Sequence, residues 1–440
     1  MSTSSTVRVP GLMDSLSAAR ARAALSVRGL SATGVLLFIT SILVVASGYT
    51  SLRPDVMGLA LHPYLVPVAL AVPFVLMARI AEFPIRVLAA LLVFMFMYCF
   101  SVVNGASVAV GEIFKTGSAV VTIVTCALLV RKRGDFVAGA LGLSIAIALL
   151  AARGLQEETK MGVEAMQGAN KNSYSLFALP AILLAGFICL RMGTVRVAVK
   201  SIFVVCTLPA LAAIFMSGNR SGYLGAALVG FMLFWDRRGR GMVLVGAIAL
   251  AVGMWLVQFG HTSVLDQRIK QTMEGNKSDE HRLAILQACL EVGFENPIIG
   301  ISPQLLPFEL GRRTSVVHHL NVIEAHNIFA HVFAASGMIC FAGLLAVGFT
   351  MWTVKPRDGG KLAADDPLRD ARRLMRMMVL LWVVRGMFTR EILYNPSFNI
   401  ALGLAIGLAM LAQVERRGIS AAAKSQSAAG PPQPLPRPAS

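Results

Sequence analysis

The chain is 440 residues long, 56% hydrophobic and only 14% charged, with a formal net charge of +17 and a mean hydropathy of +0.69. A soluble domain is nearer a quarter charged and cannot hide that much apolar surface, so these values leave an all-α, integral, polytopic membrane protein. The positive charge then reads as the bias of cytoplasmic loops and attraction to the lipid bilayer, and no nucleic-acid partner is needed to explain it.

Apolar runs long enough to cross the hydrocarbon recur from end to end. About twelve spans fall near 31–48, 62–79, 84–103, 109–130, 135–152, 173–190, 197–216, 221–235, 241–259, 327–353, 375–389 and 398–414. The first run follows Arg20, Arg22 and Arg28 and mimics a signal peptide. Its apolar core is too long for one and further spans follow at once, so an uncleaved first helix is expected. Basic clusters occur at the N-terminal arm, Arg79/Arg86, Arg131 to Arg133, Arg191/Arg196/Lys200, Arg237/Arg238/Arg240, Lys355 to Arg376 and Arg416/Arg417. With twelve spans all of these fall on one side, which puts both termini in the cytoplasm.

The organisation expected is a cytoplasmic arm at 1–30, nine spans over 31–259, an extracytoplasmic loop at 260–325, three spans over 326–414 and a disordered cytoplasmic tail at 415–440. A shorter outer loop at 153–172 is nearly charge-neutral, and no internal repeat is visible. Of the six cysteines only Cys289 lies outside a predicted span. Their spacing suits small apolar helix residues better than disulfides or a zinc site.

Six of the seven histidines fall between 261 and 331, in and beside the long outer loop, which also carries Arg268, Arg282, Arg312 and Arg313. Lipid-embedded protein has little reason to gather titratable groups unless something anionic or reactive is handled there. Ser278, Asp279 and Glu280 start a helix that should run to about Phe294 and stop before Asn296-Pro297. At about 100° per residue, Glu280, Gln287 and Glu291 share one face and Arg282 lies opposite, among Ile285, Leu286, Cys289 and Gly293. A guanidinium on an apolar face needs a partner, and phosphate oxygens fit its fork. A structural salt bridge or snorkelling to headgroups are the alternatives.

Arg220 sits in a tight turn, Ser217-Gly218-Asn219-Arg220-Ser221-Gly222, where backbone N–H groups at the next helix start are free to hold an anion. The alternative is an interfacial anchor, and the Asn219-Arg220-Ser221 glycosylation sequon is treated as chance. His326 opens the span after the long loop and can accept a proton near neutral pH, or can act as an interfacial hydrogen-bonding residue. His318 and His319 precede it in the loop as weaker candidates, and His331, about 140° around the helix, reads as packed. Glu112 and Lys115 should neutralise one another, and Arg385 should pair with Glu391 or line a cavity. The outer loops hold no acidic pair with the spacing of a divalent-metal site, so no cofactor or metal is expected.

Taken in order, these segments resemble the O-antigen ligases and polymerases of bacterial envelopes. Gly168-Ala169-Asn170-Lys171-Asn172 is similar to an Asn-Pro-Asn element, and Ser217 to Gly222 resembles a Ser-x-Ser-Arg-Gly turn. Arg282 followed by Asn296-Pro297-Ile298-Ile299-Gly300-Ile301-Ser302 resembles an Arg helix with a Pro-x-x-Gly-x-Gly bend. Ala325-His326-Asn327 with Ser336-Gly337 resembles a His-Asn span start. Lys171, Asn219 and Ser302 depart from the pattern, and none of the departures removes a charged group.

The resemblance implies a GT-C-like fold in the bacterial inner membrane with the site facing the periplasm. It implies an undecaprenyl-diphosphate-linked glycan donor and, as acceptor, lipid A–core or a growing polysaccharide, with room for a chain-length regulator protein as a partner. It further implies metal-independent, inverting transfer in which Arg220 and Arg282 grip the diphosphate and His326 deprotonates the acceptor. Asn172, Arg312, Arg313, His318, His319 and Asn327 are expected around the substrate. A transporter or flippase of an anionic lipid-linked solute is the rival class. It predicts charges along a midplane path and symmetry between halves, whereas here the charges gather at one membrane face. Ligase and polymerase differ in acceptor, and no residue separates them.

Overall fold

A computed structural model describes residues 31–47, 55–56, 59–105, 110–156, 171–216, 219–234, 277–314, 325–354 and 366–428. The predicted span at 241–259 and the loop histidines His318 and His319 lie outside the described residues. Within hydrocarbon every backbone donor must be satisfied inside its own segment, and long apolar stretches therefore become helices. In chain order these are α1 (Ala32–Ile42), α2 (Val44–Ser47), α3 (Leu65–Arg79), α4 (Ile85–Val103), α5 (Val110–Leu129), α6 (Arg133–Gln156) and α7 (Lys171–Arg191). They continue as α8 (Val197–Met216), α9 (Arg220–Phe234), α10 (Lys277–Glu295), α11 (Leu306–Arg313), α12 (Ile328–Trp352), α13 (Pro367–Gly386) and α14 (Pro396–Ala428). The one sheet among the described residues is a two-residue hairpin pairing, Asp55–Val56 with Leu59–Ala60.

Eight of the described helices are long and apolar enough to cross a membrane, and two shorter apolar helices, Ala32–Ser47 and Ser221–Phe234, accompany them. Helix α13 is as long but carries arginines in its first half. Every predicted span other than 241–259 coincides with one of these helices. The tail departs from expectation: the sequence reading placed disorder after Arg417, yet α14 continues to Ala428. Ala421, Ala422 and Ala423 supply the helix propensity that the Ser- and Gln-rich composition conceals.

Small residues and caps fix the bundle. Gly403 and Gly407, one turn apart on α14, approach α5 so closely that an added Cβ would lie 2.6 Å from the carbonyl oxygens of Ile123 and Ala127 respectively. This is the small-xxx-small contact of membrane helices. Asp135, 1% exposed, accepts from the N–H groups of Arg131 and Lys132 at 2.9 and 3.0 Å and from Thr33 Oγ1 at 3.1 Å. It also accepts from Ser31, whose side chain caps α1. A buried carboxylate is thus fully hydrogen-bonded while it ties α1 to α6.

The basic clusters among the described residues share one end of the bundle. Arg79 Nη1 donates to the Leu128 carbonyl at 2.7 Å, Arg133 forms a two-toothed pair with Glu415, and Arg416 pairs with Asp366 at 2.7 Å. The start of α12 and the end of α13 lie at the other end, where the candidate residues are found.

Helix α12 is broken at Gly337 (φ 75°, ψ −179°). The bend at 297–302 is spliced into the break. Ile301 N donates to the Ala334 carbonyl at 3.1 Å, Ser302 N to the Ala335 carbonyl at 2.8 Å, and Met338 N to the Pro297 carbonyl at 2.7 Å. Ser101 Oγ donates to Ala335 O as well, at 2.7 Å. Carbonyls freed by the break are thereby satisfied. Gly300 (φ 73°) faces Gly337 across this contact, and a Cβ on either would lie within 2.3 Å of the other segment's backbone. The proline bend and the Ser-Gly pair, some 35 residues apart in sequence, are one structural unit.

Candidate active site

The splice fixes α10 against the first half of α12. Ile285, Ala288, Cys289 and Val292 of α10, Leu306 and Leu310 of α11, Ala325 just before α12, and Ala330, Ala334 and Ala335 of α12 form a small apolar core separate from the main bundle. Alanines on α12 leave room for the larger α10 side chains. The polar face of α10 points away, with Glu280, Gln287 and Glu291 exposed, as the periodicity requires.

Where α10 meets the start of α12 there is a cleft of about 270 Å³. Arg282, Leu286 and Cys289 line it from α10, His326, Asn327 and Ala330 from the α12 start, and Met387 and Phe388 from the turn after α13. Two of the residues singled out from sequence, Arg282 and His326, therefore share one wall-to-wall cavity. Asn327 Oδ1 accepts from Phe329 N at 2.9 Å and Ala330 N at 3.1 Å, capping α12. That cap sets the direction in which His326 leaves the helix. Burial pushes the Cys289 thiol up to about 12, so this cleft residue is an apolar wall and not a nucleophile.

Arg220 is the first residue of α9; its side chain lies outside the described residues. Its neighbour Asn219 caps that helix, with Oδ1 accepting from Ser221 N at 3.1 Å and Ser221 Oγ at 2.8 Å. Asn219 Nδ2 donates to Ser175 Oγ at 3.0 Å, and Arg385 Nη2 donates to the same oxygen at 2.8 Å. Arg385 is 1% exposed, and two residues further on Met387 lines the cleft. A buried chain of polar contacts thus runs from the Arg220 turn through α7 to the end of α13. The sequence reading assigned Arg385 to Glu391 or a cavity; its hydrogen bond to Ser175 was not foreseen, because nothing in either segment encodes a contact 210 residues apart.

Other candidates lie elsewhere. Arg313 meets Glu295, Glu291 and Glu309, and Arg312 meets Glu309 at 2.7 Å. This carboxylate cluster clamps α11 to α10 outside the cleft lining. Burial acts to raise the Glu309 carboxyl, but hydrogen bonds from Arg313 and Arg312 outweigh it and hold the group below the usual range. Hydrogen bonding from Arg313 does the same to Glu295. Asn172 falls in the first turn of α7, with its side chain outside the described residues. His331 is packed, 2% exposed. Glu112 pairs with Lys115 at 3.1 Å as expected and also accepts from Tyr394 at 2.9 Å. Met387 and Phe388 are cleft residues that sequence reasoning missed; they carry no chemical signal, and only the fold brings them there. A second cavity of about 50 Å³ lies inside the bundle, lined mainly by apolar side chains such as Phe94, Leu344 and Trp382, and offers no reactive group comparable to His326.

Fold and site together define an all-α membrane protein with a cation-and-histidine cleft at one end, covered by an amphipathic helix spliced into a broken span. Residues 202–345 match the family model described as O-Antigen ligase. That stretch, about a third of the chain, holds Arg220, Arg282, the splice, His326 and Gly337, and over it the chain is similar to the O-antigen ligases. No curated protein matches the chain. That similarity supports glycan transfer of the O-antigen ligase or polymerase type in a membrane setting.

Proposed function

We propose that the chain transfers a glycan from undecaprenyl diphosphate to an acceptor hydroxyl, with Arg282 and Arg220 on the diphosphate and His326 as general base. The observation that carries this reading is the shared cleft of Arg282 and His326. Glycosyl transfer from a diphosphate needs two things at one place: positive charge where the leaving group gathers negative charge, and a base for the acceptor proton. A preorganised guanidinium supplies the first and is often the largest catalytic contribution. A positioned imidazole supplies the second, typically about 10²–10⁴-fold.

In the step proposed, the acceptor oxygen attacks the anomeric carbon and its proton passes to the unprotonated nitrogen of His326. The bond between that carbon and the diphosphate oxygen breaks, and the diphosphate leaves with the electron pair. Attack opposite the leaving group inverts the anomeric centre, and no metal is required where arginines neutralise the charge. The cleft faces the periplasm of a bacterial inner membrane in this reading, since the basic clusters gather at the opposite end of the bundle.

Purified protein incubated with undecaprenyl-diphosphate-linked glycan and acceptor tests this. Product formation should fall by at least about 10²-fold in Arg282→Ala and in His326→Ala. Unchanged product in both would refute it. A deletion strain separates the two acceptors: bare core with accumulating lipid-linked polymer marks a ligase, core capped by a single repeat marks a polymerase.

A further inference from the structure

We propose that the first half of α13 and the end of α12 form a binding site for the phosphodiester headgroup of an anionic phospholipid, at the end of the bundle opposite the cleft. Arg369, Arg372, Arg373 and Arg376 fall within a sector of about 100° on α13, over about 11 Å of rise. Leu368, Ala371, Met375 and Met378 occupy the opposite sector and are buried in the core. Arg369 is exposed and Arg372 and Arg376 partly so, while Arg373 Nη2 reaches the Met232 carbonyl of α9 at 3.4 Å, so the arginine face lies at the surface beside α9.

Two of these arginines are set out as an anion site. Arg372 and Arg376 are one turn apart and their like charges repel. Among the described residues neither is ion-paired with a carboxylate. The Arg376 guanidinium lies 5.4 Å from the Trp352 ring centroid, and its Nε donates to the Trp352 carbonyl at 3.3 Å. Stacking and hydrogen bond hold that fork in one place with its Nη donors to spare. Arg372 Nε is buried with no hydrogen-bond partner. The rest of the Arg372 side chain is partly exposed beside Arg376, and two adjacent forks match the oxygens of one phosphate.

The occupant is a lipid because of what lies beside the arginines. Leu345, Phe349 and Trp352 are exposed on α12 at spacings of four and three, so they form one apolar row that ends at Arg376. An acyl chain laid along Leu345 and Phe349 brings its phosphate to Trp352 and Arg376. Tryptophan at headgroup level and arginines just beyond it are how membrane proteins meet that depth. Anionic lipid is favoured over zwitterionic because this end also carries the exposed Arg131 and Lys132, whereas Arg79, Arg133 and Arg416 are each matched by a carboxylate. The inference stands whether or not the cleft transfers glycans.

The full chain, purified in detergent with equal phosphatidylglycerol and phosphatidylcholine, is examined by native mass spectrometry for retained lipid, and its melting is followed in nanodiscs of each lipid. Wild type should retain phosphatidylglycerol in preference. Arg372→Gln should weaken that retention on the order of tenfold, as loss of one charged contact implies, while Arg417→Gln at the same end leaves it unchanged. In phosphatidylcholine alone Arg372→Gln should melt at or above wild type, because a repulsion is removed; in phosphatidylglycerol it should melt below. Equal retention of the two lipids by wild type overturns the proposal, as does an unaltered preference in Arg372→Gln. So does a lower melting temperature of that variant in both lipids, which would make the arginine a structural member. If roughly 10 mM inorganic phosphate stabilises wild type in phosphatidylcholine as much as phosphatidylglycerol does, the site is for a soluble anion and the lipid assignment falls.

Discussion

Replacing Gly337 by alanine tests how the Arg282 helix is held. Gly337 adopts φ 75° and ψ −179°, a region essentially closed to residues with a Cβ, and its added Cβ would lie 2.1 Å from the Ile298 carbonyl oxygen. Backbone strain of this kind costs about 1–3 kcal/mol. The contact at 2.1 Å cannot be absorbed by a flexible side chain, since the neighbour is backbone, so the bend at 297–302 must move away. Three backbone hydrogen bonds then go, from Ile301, Ser302 and Met338, at about 1 kcal/mol net each. The total is about 4–6 kcal/mol on local opening. Hydrogen exchange of the full chain in nanodiscs reads this directly: a loss of about 4 kcal/mol speeds exchange of these amides on the order of a thousandfold. Glycan transfer should fall with it, because α10 loses its anchor and Arg282 its position. Exchange at Ile301 and Ser302 within threefold of wild type, with activity kept, would refute the idea that the splice positions the cleft.

Gly300→Ala, which meets the Ala335 backbone at 2.3 Å, should reproduce the Gly337→Ala exchange pattern, and a different set of exposed amides would mean that the two glycines act separately. Cys289, with its thiol pushed up to about 12, carries on the order of a thousandfold less thiolate than an ordinary cysteine at pH 8; maleimide should label it slowly in native protein, and rapid labelling would show that the α10 core is not closed. The clamp between α10 and α11 depends on carboxylates whose folded values are depressed, so its contribution is present above the ordinary glutamate value near about 4.3 and is lost as pH falls through the folded values. Proteolysis between Glu295 and Arg313 should therefore accelerate below about pH 4 in wild type, and Arg313→Gln should be cut at pH 7 already; equal cutting of the variant and wild type at pH 7 would count against the clamp.

Much of this was legible in the sequence because membrane physics leaves few choices. A run of twenty apolar residues must be a helix, and loop charges sort its ends, so the spans and the opposite placement of basic clusters and candidate residues could be read directly. Arg282 stood out for a similar reason, as a cation in the middle of the apolar stripe of Ile285, Leu286 and Cys289; the structure leaves it exposed, on the lining of the cleft. Arg312 and Arg313 looked equivalent to it by charge alone. What separates them is Glu295, Glu291 and Glu309, which reach them only after α11 folds back on α10, and no α11 was visible in the short segment 306–313.

The splice was half legible. Gly300 and Gly337 each announce a special backbone, but that each exists to admit the other follows from tertiary contact alone. Ser302 holds φ 84° without being glycine, which a reading by residue type would not place in that region. The contact of Arg385 with Ser175, whose hydroxyl oxygen also accepts from Asn219, was not legible, because residues 175 and 385 meet only in the folded bundle.

The central claim is that Arg282 and His326 divide the work on a diphosphate-linked glycan, one holding the leaving group and the other removing a proton. Binding and turnover measured on the same purified variants test that division most directly. Arg282→Ala should weaken donor binding and lower the rate, whereas His326→Ala should bind donor as wild type does and lose about 10²-fold or more in rate. Donor binding lost in His326→Ala with its residual rate per bound donor unchanged would contradict the account.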